Sequence, residues 1–167
     1  GCGKGAFITG MAAVCPEINF IALECVKNVI VTALEKTECA GLKNIRFINA
    51  NASQLADFFS PGEIDRIYLN FSDPWPSNRH AKRRLTHTRQ LLSYKPLLAP
   101  RGEVWLETDN DDLYLATRRY LTEAGFEIFF DTKDLHREND PEKLLTEHEV
   151  RFTQEGIPTK ALRARLS

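Results

Sequence analysis

Asp73 and Trp75 sit in the stretch Asn70-Phe71-Ser72-Asp73-Pro74-Trp75-Pro76, and Arg79-His80-Ala81-Lys82-Arg83-Arg84-Leu85 follows at once. A carboxylate and a stacking ring beside a dense cationic patch suit chemistry on a nucleic-acid base. Four of the six residues from Arg79 to Arg84 are Arg or Lys and none is acidic. The local potential is therefore positive, although the whole chain carries 22 basic and 23 acidic side chains. Guanidinium groups fork onto phosphate oxygens, so RNA is the natural partner of such a patch. Plainer readings exist: a Pro-rich turn whose Asp bonds its own backbone while Trp fills the core edge, and a charge run that coats a solvated helix face. Pro74 and Pro76 fix their own φ and push Asp73 and Trp75 toward extended backbone, which stiffens the loop.

A second constellation opens the chain. In Gly1-Cys2-Gly3-Lys4-Gly5-Ala6 the glycines let the backbone turn sharply and approach a ligand faced by the next helix N-terminus. Gly1, Gly3 and Ala6 also spell the Gly-x-Gly-x-x-Ala dinucleotide fingerprint, so this stretch alone leaves a nicotinamide or flavin cofactor open. Asn19 to Leu23 reads as an apolar strand ending at Glu24, about twenty residues downstream, where a carboxylate can accept hydrogen bonds from ribose hydroxyls. Its alternative is a helix N-terminal acid, favourable at the positive end of the dipole.

These residues need a scaffold, and the chain alternates regularly. Ile64 to Phe71 reads as a buried strand, which places Asp73 just past its carboxyl end, where open α/β sheets bind ligands. A helix is predicted over Val26–Cys39, ending at Gly41, then a strand over Ile45–Asn49 followed by Asn51. A helix over Thr86–Leu98 stops at Pro100-Arg101-Gly102, and a strand follows over Glu103–Asp109. A helix over Asp112–Ala124 ends at Gly125. Strands are predicted over Phe126–Asp131, Glu149–Thr153 and Lys160–Leu166, the last two as an antiparallel hairpin. The fold class is α/β: a Rossmann-like, mostly parallel sheet with a C-terminal antiparallel hairpin.

With 167 residues and 43% hydrophobic content, residues 1–167 read as one globular domain. No apolar run approaches the roughly 20 residues needed to span a bilayer. Cys2, Cys15, Cys25 and Cys39 show no metal-ligand spacing, and free thiols in a reducing cytoplasm are the simplest reading. The chain opens at the glycine loop without the strand that should feed it, so a first, central strand is expected to be missing and the domain to be N-terminally truncated.

Gly1-Cys2-Gly3-Lys4-Gly5, Glu24, Asp73-Pro74-Trp75-Pro76, Arg79-His80, Lys82-Arg83-Arg84-Leu85, Thr108-Asp109-Asn110 and Thr146-Glu147-His148-Glu149 occur here in one order. In this the chain resembles the bacterial tRNA (guanine-N7-)-methyltransferases over nearly its whole length. The resemblance implies a class I fold that uses S-adenosylmethionine, with no metal, to methylate N7 of guanine 46 in the tRNA variable loop, in the cytoplasm. By the same resemblance Gly1, Gly3, Gly5, Glu24 and Asn51 bind the cofactor, and Asp73 is catalytic and borders both cofactor and guanine. Asp109, Thr146, Glu147, His148 and Glu149 contact the base, while Arg79, His80, Lys82, Arg83 and Arg84 hold the RNA.

The implied chemistry suits the residues. Guanine N7 carries an in-plane lone pair and no proton, so it attacks a sulfonium methyl without a general base. Departures from the family pattern are Ser77 where Lys is usual, Glu107 where a basic residue is common, and His148 in place of Tyr. The oligomeric state, monomer or homodimer, is not written in the sequence. The alternative function is a catalytically impaired tRNA-binding module of the same fold.

Overall fold

The computed structural model describes residues 1–138 and 157–167, which form two compact units. Thr146–Glu149 and the predicted strand over Glu149–Thr153 lie outside the described residues.

The first unit covers Gly1–Gln54. It holds α1 (Ala6–Val14), β1 (Phe20–Leu23), α2 (Lys27–Cys39) and β2 (Ile45–Ile48). β1 and β2 pair in parallel, Phe20 opposite Ile45 and Leu23 opposite Ile48. α2 buries Ile30, Ala33 and Thr37, the stripe that 3.6-residue periodicity dictates, and Gly41 at φ 66 ends the helical segment. The Asn44 amide donates to the Ala12, Cys15 and Ile18 carbonyls, meeting one acceptor in the last turn of α1 and two in the turn that follows it.

The second unit runs from Leu55 and includes the C-terminal strand. Its four-stranded sheet has the order β3-β4-β6-β5, from β3 (Ile64–Asn70), β4 (Leu98–Thr108), β5 (Phe126–Thr132) and β6 (Lys160–Leu166). β3 and β4 are parallel, whereas β6 is antiparallel to both β4 and β5. The sheet is therefore mixed, and the antiparallel partner of Lys160–Leu166 on its outer side is β5. α3 (Thr88–Tyr94) and α4 (Asp111–Glu123) contribute Leu91, Tyr94, Tyr114, Tyr120 and Leu121 to a core completed by Leu69, Val104, Leu106, Phe126 and Leu162 from the strands.

Two boundaries differ from the sequence expectation. The helix predicted over Thr86–Leu98 is only α3 plus a 3₁₀ turn over Lys95–Leu97, and β4 begins at Leu98 instead of Glu103. His87 sets the start, its Nδ1 accepting the Arg89 N–H at 3.1 Å. Pro96 sets the end, because its ring clashes with the preceding turn and it has no N–H to continue the ladder. Pro100-Arg101-Gly102 is not a loop between elements but an irregularity inside β4, where pairing jumps from Ile64–Leu98 to Arg66–Glu103. α4 matches its predicted span within a residue. The Asn110 side chain accepts the Leu113 N–H, and Asp111 and Asp112 complement the helix dipole.

Candidate active site

In the first unit, the glycine loop and Glu24 are brought together. Gly5 precedes α1 at φ 81, and a Cβ there would lie 2.8 Å from the Ala33 Cβ of α2, so only glycine permits this packing. The Cys2 N–H donates to the Leu23 carbonyl at 2.7 Å, laying the loop over the end of β1. Glu24, only 7% exposed, accepts from the Gly3 N–H at Oε2 and from the Cys25 and Val26 N–H groups at Oε1. Burial alone would raise its pKa. The Val26, Gly3 and Cys25 N–H bonds oppose burial, and the carboxyl lies below its ordinary value.

Glu24 faces the glycine loop, and α2 begins only at Lys27 with Val26 as its cap residue and no acid in its first turn, so the reading of Glu24 as a helix N-terminal acid does not describe it. Among the described residues Oε2 accepts from Gly3 alone, leaving it a lone pair for a further donor. A Cβ on Gly1 would come within 2.9 Å of that same oxygen. An ionised acceptor kept clear by a glycine fits the ribose hydroxyls of an S-adenosylmethionine-type cofactor. Asn51 has a local role, its Oδ1 accepting from the Ser53 N–H and hydroxyl at the start of a 3₁₀ helix over Ala52–Asp57. Sequence reasoning missed Asn49, whose Nδ2 donates to the Glu24 carbonyl at 2.8 Å and ties the carboxyl ends of β1 and β2 together.

In the second unit, Asp73 and Asp109 follow the carboxyl ends of the parallel neighbours β3 and β4, where Asn70 pairs with Glu107. Neither carboxylate has a hydrogen bond or ion pair among the described residues. The structure instead fixes the backbone around them. The Phe71 N–H donates to the Glu107 carbonyl at 2.8 Å, Thr108 Oγ1 accepts the Asn110 N–H, and Lys160 Nζ donates to the Asp109 carbonyl at 2.7 Å. Lys160 is 5% exposed and also lies 3.3 Å from Asp111. No sequence signal marked it, since a lysine opening a strand has no distinctive spacing. Among the described residues, both polar atoms of the Asn70 amide, and Ser72 Oγ, are buried without a partner. Such groups cost about 1–3 kcal/mol each unless a ligand or water completes them.

The Asp73 loop departs from the extended geometry its prolines predict. Phe71 and Trp75 have φ of 49 and 43, in the left-handed region that non-glycine residues occupy at a cost of roughly 1–3 kcal/mol each. Arg84 holds this conformation, donating from Nε to the Pro74 carbonyl at 2.7 Å and from Nη2 to the Trp75 carbonyl at 3.1 Å. The cationic run is sorted by a 3₁₀ helix over Asn78–Arg83, in which residues three apart eclipse. His80 meets the Trp75 ring edge-on at 5.8 Å and the Arg83 guanidinium lies 5.0 Å from that ring's centre, and both stay exposed, as do Arg79 and Lys82. Arg84, just past the helix, is 6% exposed. A cleft of about 340 Å³ opens beside the loop, lined by Pro76, Arg84 and the α4 residues Asp112, Arg119 and Tyr120.

A glycine loop facing an acid at a strand end in one unit and, in the other, carboxylates unpaired among the described residues after parallel strands fit a class I methyltransferase fold. Solved structures agree. An S-adenosylmethionine-dependent methyltransferase from Aquifex aeolicus superposes with a TM-score of 0.70 at 13% identity, covering 100% of this chain and 79% of that one. The Methanococcus jannaschii fibrillarin pre-rRNA processing protein gives 0.66 at 16% identity, over 99% and 64%.

The family model described as "Putative methyltransferase" matches residues 1–162, spanning both units. The tRNA (guanine-N(7)-)-methyltransferase of Lactococcus lactis is 45% identical over 158 residues, 93% of this chain and 73% of that protein. Its Bacillus subtilis namesake is 42% identical over 158 residues, 95% and 74% respectively. The chain belongs to this family of bacterial methyltransferases. No helix among the described residues is long and apolar enough to cross a membrane.

Proposed function

We propose that this chain methylates N7 of guanine 46 in the variable loop of tRNA, using S-adenosylmethionine, as part of tRNA maturation in the cytoplasm. The observation that carries the reading is the pair Asp73 and Asp109: two carboxylates without partners among the described residues, each past the end of a parallel strand and each set in a pinned backbone. The relatives named for this activity support it.

The cofactor supplies an electrophilic methyl group on a sulfonium, and guanine N7 supplies the electron pair. No proton leaves the attacking atom, so the protein contributes positioning rather than general-base catalysis. Glu24 and the glycine loop hold the cofactor's ribose, with Asn51 near the adenine. Asp73 borders the reacting groups, and a carboxylate such as Asp109 accepts from guanine N1–H and the 2-amino group, leaving adenine's edge mismatched. Thr146, Glu147, His148 and Glu149 complete the base contacts. Folded RNA buries N7 in a deep, narrow groove, so the target base must be extruded from a loop. Arg79 and Lys82 meet the RNA backbone and give position without sequence information.

Transfer of labelled methyl from S-adenosylmethionine to unmodified tRNA tests this, with adenine in place of the target guanine as control. Guanine-dependent labelling is expected. Tight tRNA binding with no labelling would replace the enzyme by a tRNA-binding module of the same fold.

A further inference from the structure

We infer that Arg84 is a positioning residue that fixes the Asp73 loop, and that it does not hold RNA phosphate like its neighbours in the cationic run. The inference rests on the methyl-transfer reading above and adds a residue to it.

Pro74 and Pro76 have no N–H, so the loop has few amides with which to close on itself, and its carbonyls need outside donors. Arg84 supplies two, to successive carbonyls, from one planar group. Lysine offers a compact point charge in place of that fork. The seat of the guanidinium is itself rigid: Tyr94 OH donates to the Leu85 carbonyl at 3.2 Å, and Thr117 Oγ1 donates to Thr86 Oγ1 at 2.8 Å in the core. The left-handed conformations of Phe71 and Trp75, on either side of Asp73, persist only where surrounding contacts over-determine them. Among the described residues Arg84 has no carboxylate partner, so its charge is spent on the two loop carbonyls. At 6% exposure it reaches solvent only through the cleft beside the loop, and two of its five N–H donors are already taken by the loop.

The test compares Arg84→Lys and Arg84→Gln with Arg83→Ala in the full chain, reading turnover, tRNA affinity across a salt series, and Trp75 fluorescence anisotropy in a Trp105→Phe background. The chain has two Trp residues, so that background isolates the loop. Arg84→Lys keeps the charge, yet its turnover is expected to fall by roughly 100-fold, the scale of a 1 Å misplacement. Its tRNA affinity and salt slope stay at the parent values, and Trp75 becomes more mobile. Normal turnover in Arg84→Lys, or a shallower salt slope with turnover intact, overturns the inference. So does loss of cooperative unfolding in both Arg84 variants, which would make Arg84 a residue of the fold at large. If the parent chain transfers no methyl, the reaction reading fails, while anisotropy and salt slope still decide what Arg84 does.

Discussion

The Gly3 N–H donates to Glu24 Oε2 at 3.1 Å, joining residues 21 positions apart. The carboxylate is therefore at once a buckle for the glycine loop and an acceptor at the end of β1. Glu24→Gln sets an amide N–H against backbone donors and is expected to weaken S-adenosylmethionine binding at least about tenfold, a difference of ~1.4 kcal/mol. tRNA affinity should be unchanged, and calorimetric titration of each ligand separates the two. Because folding depresses the Glu24 pKa, its contribution to stability is present above its ordinary value of 4.5 and is lost as pH falls through the lowered one.

Asp73→Asn keeps the loop's shape and removes the charge. Turnover should drop by ~100-fold or more while the tRNA dissociation constant holds, since the group acts on alignment and developing charge. Asp109→Asn should instead raise KM for tRNA and narrow the preference for guanine over adenine. Single-turnover methyl transfer distinguishes these outcomes.

Arg79→Ala combined with Lys82→Ala removes two exposed cations from one face of the 3₁₀ helix. The log–log salt slope of tRNA binding should become shallower by about 1.4, from two phosphates at roughly 0.7 each. Identical slopes in parent and variant would remove this face from the interface.

Burial first, and then the charge of Lys82, lower the pKa of His87 from its ordinary 6.5, with Arg84 and Arg89 adding to the effect and Glu123 opposing it. The neutral ring accepts the Arg89 N–H and packs 4.9 Å from Tyr120. The unfolded chain binds the proton more readily, so this stability is complete above 6.5 and declines as pH falls through the window below it. Urea midpoints at pH 7.5 and 5.5 should differ less for His87→Asn, which caps α3 without titrating. His87→Ala should cost about 0.5–2 kcal/mol at either pH.

Gly5→Ala brings a methyl group to 2.8 Å from the Ala33 Cβ and forces alanine to φ 81. The strain and overpacking together are expected to cost about 2–4 kcal/mol, read as a lowered Tm. Ala33→Gly in the same chain should restore part of that, because it relieves the contact and leaves the backbone strain.

Much of this protein was legible in its chain. Alternating apolar segments placed β1, α2, β2, β3, α4, β5 and β6 within a residue or two, because hydrophobic periodicity and glycine stops are local properties. Asp73 beyond β3 and Glu24 beyond β1 followed from the same pattern, and the ordered motifs identified the family. The Pro96 break and the β4 irregularity were misread, since Pro-Arg-Gly looks like a terminator whether it ends an element or bends one. What only the tertiary structure decided was how the cationic run divides. Five basic residues within six positions look alike in sequence, yet 3₁₀ eclipsing sets His80 and Arg83 against Trp75 and Arg79 and Lys82 away from it, all four exposed, while the anchored Leu85 and Thr86 turn Arg84 into the protein. Partner choice of this kind rests on contacts distant in sequence, which neither composition nor spacing encodes.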